Sequence, residues 1–141
     1  LDFDPANNDV TIVPDGRTQK YRGEDSQDNP AYVLRLAEMY LIRAEVNGLT
    51  FLGRDFLNAV RTARGLPVFG PEDFSTEADF QQAVLDERRA EFNFEGHRYF
   101  DLVRAGQFEA VTGAESFRRI LPIPNREIIA SGGALVQNPG Y

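Results

Sequence analysis

Several residue types are missing or nearly so. The 141-residue chain has no cysteine and no tryptophan, with one histidine, one methionine and one lysine. Without cysteine there is no disulfide, thiol nucleophile, thiolate metal site or lipidated cysteine within the sequence. A single imidazole, His97, excludes any metal or catalytic site that needs two. No apolar run approaches the roughly 18 residues a membrane-spanning helix requires. Basic charge is also short: 22 acids face 15 bases, a formal net charge of −7. That balance argues against a nucleic-acid partner, which calls for a basic footprint.

What is present fits one ordinary globular domain, with hydrophobic residues at 42%. All the basic residues except Lys20 are arginines. Arginine pairs carboxylates through two parallel bonds and stacks on aromatic faces. With eleven Phe and five Tyr also present, a domain knitted by Arg–carboxylate pairs is expected. The chain opens on Leu1 without a secretory pattern, so it is expected to be processed or one piece of something longer.

Residues 1–30 read as an extended lead-in, rich in Pro and acid, with one short strand at Val10–Val13. Residues 31–141 read as a helical region. A first helix is predicted from Asp28-Asn29-Pro30 to Asn47-Gly48, with Leu34, Ala37, Leu41 and Ala44 on one stripe. A second runs from about Arg54 to Arg64, with Leu57 and Val60 inward and Gly65-x-Pro67 as its stop. Thr76-x-x-Asp79 resembles a capping box, and Ser75 is an equally good cap. It opens a third helix to about Phe94, whose apolar stripe becomes charged at Asp86-Glu87-Arg88-Arg89. Gly96 bends the chain into a short helix from His97 to Ala105. Ile120-Leu-Pro-Ile-Pro124 cannot be helical in its interior, and Asn125 is placed to cap one last turn. The fold class is therefore all-α: helices in pairs (31–47 with 54–64, 76–95 with 97–105), compatible with stacked helical hairpins joined by irregular Pro/Gly-rich connections.

Chemistry is less legible. Glu87, Glu91 and Glu95 at i, i+4 and i+8 put three carboxylates on one helix face, with Arg88 and Arg98 near the row. Paired acids are what glycoside hydrolysis needs, but structural Arg–Glu pairing explains the same pattern. His97 with Glu95 and Asp101 invites a metal reading, yet Glu-x-His is not the Glu-x-x-His spacing of helical metal sites; a packed histidine is expected, with no metal and no cofactor. Gly96 serves the bend. No phosphate-binding loop or nucleophile elbow is present.

Five stretches together resemble the C-terminal portion of the SusD/RagB family: Val33-Leu-Arg-Leu-Ala-Glu-Met-Tyr-Leu-Ile-Arg-Ala-Glu45; Leu57-Asn-Ala-Val-Arg61 with Gly65-Leu66-Pro67; Leu85 to Arg104; Leu121-Pro-Ile-Pro-Asn-Arg-Glu-Ile128; and Gln137 to Tyr141. One departure lies at Arg61-Thr-Ala-Arg-Gly-Leu66, where the family usually reads Arg-x-Arg-Ala-Gly-Leu. Another is the short link from Asn47 to Arg54. The resemblance implies an α-rich, TPR-like scaffold in a surface-exposed outer-membrane lipoprotein of the polysaccharide-utilisation type, touching the membrane only through a lipid anchor absent from this chain. It implies a non-enzyme that captures a glycan or other nutrient for import through a TonB-dependent, SusC-like transporter. The alternative is a TPR-like protein-interaction module without a small ligand. The family's sugar contacts vary and lie largely outside this portion, so no ligand residue is carried over. Arg88, Glu91, Glu95, Gly96, His97, Arg98, Asp101 and Arg104 are expected to act as structural motif, three acids and three bases around a bend.

Overall fold

The computed structural model describes residues 33–141 and two short strands near the start. β1 (Asp2–Asp4) pairs antiparallel with β2 (Asp9–Thr11), Phe3 opposite Val10. The expected strand overlaps β2. The rest of the lead-in, including the predicted cap at Asp28-Asn29-Pro30, lies outside the described residues. Six helices follow among the described residues: α1 (Leu36–Asn47), α2 (Phe51–Ala63), α3 (Glu77–Glu91), α4 (Arg98–Arg104), α5 (Phe108–Thr112) and α6 (Asn125–Ala130). The fold is mainly α. Two compact units divide the chain, 1–91 and 92–141. Among the described residues no helix is long and apolar enough to cross a membrane.

In the first unit α1 and α2 form a helical hairpin, and α3 packs on α1. Leu41 and Ala44 of α1, Leu57 and Val60 of α2, and Phe80, Val84 and Leu85 of α3 make its core. Helical periodicity selects all of these except Leu85, and it also selects Leu34 and Ala37, of which Ala37 is only half-buried. The chain is still extended at Arg35 (φ −134°, ψ 153°), and α1 begins only at Leu36. Leu34 therefore precedes the helix and is exposed. The helix starts late because Arg35, in this extended state, reaches the carboxylate and carbonyl of Glu91.

The hairpin turn is built on Gly48, whose φ of +60° is cheap only for glycine. Leu49 N–H donates to Glu77 Oε2 at 2.8 Å, and Thr50 Oγ1 caps α2 by accepting from Gly53 N–H at 3.1 Å. At Gly53 the backbone of α2 comes close to the end of α1 and the turn: a Cβ would land on the Gly48 carbonyl oxygen and lie 3.2 Å from that of Ala44. Alanine normally gains about 1 kcal/mol over glycine inside a helix. Gly53→Ala is expected to do the opposite and destabilise by about 1–3 kcal/mol, the usual range for overpacking, read as a lower denaturation midpoint. A stabilised variant would refute the close approach.

Thr76 and Asp79 form the anticipated box: Asp79 N–H donates to Thr76 Oγ1 at 3.1 Å, and Thr76 N–H to Asp79 Oδ2 at 2.9 Å. Ahead of it, Asn58 holds Phe69 through both backbone groups, at 2.9 and 2.8 Å. Phe69, Phe74 and Phe80 then stack in sequence, with centroids 4.8 and 5.2 Å apart.

In the second unit Phe92, Leu102 and Phe108 are buried. Tyr99 meets Phe108 edge-to-face at 5.6 Å and donates its hydroxyl to the Arg119 carbonyl at 2.7 Å. The Pro-rich stretch before α6 is non-helical, as expected. Asn125 does not cap α6 but is its first residue; Pro124 occupies the cap position, with no side-chain bond to the helix. The fixed φ of Pro124 sets the entry without a polar cap. Gln137 clasps Ile123, accepting from its N–H at 2.8 Å and donating to its carbonyl at 2.9 Å. Tyr141 closes on Phe117 at 5.0 Å.

Candidate functional site: a buried arginine–glutamate cluster

Among the described residues of the first unit, a cluster of paired charges joins α2, α3 and the extended residue Arg35. Glu87 and Glu91 are one helical turn apart on α3 and both are buried. Arg61 and Arg64, three residues apart near the end of α2, reach them. Arg61 Nη1 lies 2.7 Å from Glu87 Oε2. Arg64 grips Glu91 with both arms of its fork, Nε to Oε2 at 2.8 Å and Nη2 to Oε1 at 2.6 Å. Arg35 adds Nη1 to Glu91 Oε1 at 2.6 Å and Nη2 to the Glu91 carbonyl at 2.9 Å. Glu91 thus receives the guanidiniums of both Arg64 and Arg35. Arg61 does three things at once: it pairs Glu87, donates Nε to the Pro67 carbonyl at 2.7 Å, and lays its guanidinium 4.1 Å from the Phe69 ring centre. Arg64, one of the two residues (with Ala63) at which the chain departs from the pattern given above, is the forked partner.

The spacing of acids on α3 is legible in the sequence; their partners are not. Arg35, Arg61 and Arg64 are 26 to 56 residues away from the carboxylates they bind, beyond the reach of any single-helix pattern. Glu95 does not continue the row. α3 ends at Glu91, and residues 92–96 turn through two left-handed positions, Phe94 (φ 64°) and Gly96 (φ 83°). A Cβ at Gly96 meets nothing within 4 Å, so glycine is required there for its backbone state alone.

Arg88 of α3 is buried as well. In the second unit His97 packs its ring 4.7 Å from that of Phe92. Buried Asp101 binds Arg104 at 3.0 Å, one turn along α4. Arg98 Nη1 is buried without a hydrogen-bond partner among the described residues. Nor do those residues include any group of three His, Asp or Glu placed to hold a metal ion.

The electrostatics of Glu91 bear on catalysis. Burial pushes its carboxyl up, but the hydrogen bonds and charges of Arg64 and Arg35 outweigh burial and hold it below the ordinary glutamate value. The same pairing raises Arg64. A glycosidase acid must be raised, so that it carries a proton near neutral pH; Glu91 is shifted the other way. The consequence is for stability. A carboxyl depressed in the folded state binds fewer protons there than in the unfolded chain, so stability rises with pH. The contribution is complete above the unfolded glutamate value of about 4.3 and is lost as pH falls through the lower folded value. An acid limb below about pH 4 is expected in denaturation midpoints, and Glu91→Gln should flatten it. An unchanged limb would remove Glu91 as its source. Glu77, exposed and lowered by bonds from Gln81 and Leu49, acts in the same direction more weakly because solvent screens it.

The model of the SusD family matches residues 9–119. The chain belongs to the SusD family. A SusD-like protein of Formosa agariphila is 32% identical over 129 residues, covering 81% of this chain and 25% of that protein. Among solved structures, a laminarin-binding SusD-like protein superposes with TM-score 0.65 at 38% identity, over 79% of this chain and 23% of that one. Surface glycan-binding protein A from Bacteroides thetaiotaomicron gives 0.64 at 30% identity, over 79% and 25%. The chain spans about a quarter of the length of these SusD relatives.

Proposed function

We propose that this chain is the C-terminal scaffold of a surface-exposed outer-membrane lipoprotein that captures a glycan for import through a TonB-dependent, SusC-like transporter, and that it carries out no chemistry on the glycan. The observation that carries this reading is the 38% identity to a laminarin-binding SusD relative together with 30% to a surface glycan-binding one. The pairing supports it: Glu87 and Glu91 are each held by arginine, and Glu91 is shifted away from the raised value that a proton-donating acid needs. In this reading Arg88, Glu91, Glu95, Gly96, His97, Arg98, Asp101 and Arg104 are scaffold, and the sugar contacts lie elsewhere in the full-length protein.

Calorimetry of the full-length protein against an oligosaccharide panel that includes laminarin tests this. Saturable binding to at least one glycan, without release of reducing sugar, is expected. Silence across the panel would count against capture. Arg98→Ala in the same protein should lower the melting temperature and leave glycan affinity unchanged. A variant of normal stability that no longer binds would move Arg98 into the ligand site.

A further inference from the structure

Asn47-Gly48 is the one Asn-Gly step in the sequence. Asparagine is a thermolabile residue, and most so before glycine, where no side chain shields the following amide nitrogen. That nitrogen attacks the asparagine side-chain carbon. A new C–N bond closes a succinimide ring, the Cγ–Nδ2 bond breaks, and ammonia leaves with the amide proton. Water then opens the imide at either carbonyl and leaves aspartate or its β-linked isomer, isoaspartate.

The fold opposes the first step at each atom it uses. Asn47 is the last residue of α1, and side chains on a helix lean back toward its N-terminus, away from the next amide. Its Nδ2 donates to the Arg43 carbonyl at 2.7 Å, which fixes that lean. Gly48 is buried, and its N–H donates to the carbonyls of Ala44 at 3.1 Å and Glu45 at 3.3 Å. A nitrogen held by two carbonyls and screened from water neither gives up its proton nor turns toward the side chain. The turn beyond it is tied to α3 by the bond from Leu49 N–H to Glu77.

The products do not fit the place they came from. Aspartate at 47 sets a carboxylate oxygen against the Arg43 carbonyl, at the negative end of α1. It also adds negative charge near Glu77, whose Oε1 lies 2.6 Å from where a Gly48 Cβ would stand. Isoaspartate lengthens the backbone by a carbon atom directly before Gly48, so its N–H no longer meets both carbonyls.

We propose that Asn47 is a conformation-gated deamidation site, closed while the α1–α2 turn is closed, reactive when it opens, and unable to rebuild the turn once converted. Molecules that have opened are then marked irreversibly. The inference is independent of what the protein binds.

The full-length protein is incubated at mildly alkaline pH, native and in urea, and digested with trypsin for mass spectrometry. The tryptic peptide 44–54 carries Asn47 as its only side-chain amide, so its conversion to acid forms reads this site alone. Deamidation is expected about 100-fold more slowly in the native protein than in urea, since it proceeds through local opening. Glu77→Ala, at an exposed position, releases Leu49; it should speed the native reaction about 10-fold and leave the reaction in urea unchanged. Equal rates in the two conditions, or a Glu77→Ala variant no faster than wild type when native, would overturn the gating. Asn47→Asp in the same protein should melt below wild type. An equal melting temperature would overturn the claim that the converted turn cannot rebuild.

Discussion

Phe80→Ala is expected to cost the first unit about 4 kcal/mol, within the range for truncating a buried phenylalanine. Phe80 has no exposure and is among the largest fully buried side chains. The loss has two parts. One is the transfer free energy of the ring, and the other is the cavity left between α3 and the Phe69–Phe74 pair. Phe74 meets Phe80 at 89° with centroids 5.2 Å apart, an edge-to-face arrangement worth about 0.5–1.5 kcal/mol beyond burial alone. Collapse of the cavity is resisted because Phe69 is pinned at both backbone groups by Asn58 and covered by Arg61. Phe80→Leu keeps most of the volume and should cost about 1.5 kcal/mol. Denaturant titration of both variants in the full-length protein checks this. An alanine variant within about 1 kcal/mol of wild type would mean that the aromatic stack closes over the gap.

Phe80 also shows what a sequence can reveal. It follows a capping box and leads a stripe with Val84, so its burial is readable from spacing alone. The same logic places Leu41, Ala44, Leu57 and Val60. It misplaces Leu34, because the apolar rhythm of residues 33–44 does not break where the helix starts. The start is decided by Arg35, whose extended backbone is stabilised by a residue 56 positions away. At the cluster, the acids are legible because they share one helix, whereas Arg61 and Arg64 become their partners only when α2 and α3 come together. The end of α3 at Glu91, which takes Glu95 out of the row, depends on a left-handed Phe94 that no propensity scale foretells.

Glu91→Ala is expected to destabilise by about 3 kcal/mol, the lower end of the range for removing one member of a buried ion pair. The substitution removes the bonds from Arg35 and Arg64 to the carboxylate, and the larger cost comes from the charges it leaves. Arg35 and Arg64 would face each other as like charges, with the Arg35 side chain only 18% exposed. Arg64, half exposed, can swing into water, and this limits the loss. Glu91→Gln keeps the shape and some hydrogen bonding, and should cost about 2 kcal/mol, as expected for bonds to charged groups. If the penalty is orphaned charge, removing the charge should relieve it: Glu91→Met with Arg35→Leu should be more stable than Glu91→Ala, since buried pairs replaced by apolar residues of similar volume are often neutral. A double-mutant cycle of Glu91→Ala with Arg64→Ala should return a coupling of about 1–2 kcal/mol, little changed by salt because the carboxylate is buried. A coupling near zero would mean that Arg64 sits beside Glu91 without stabilising it, and that Arg35 alone holds the end of α3 to the start of α1.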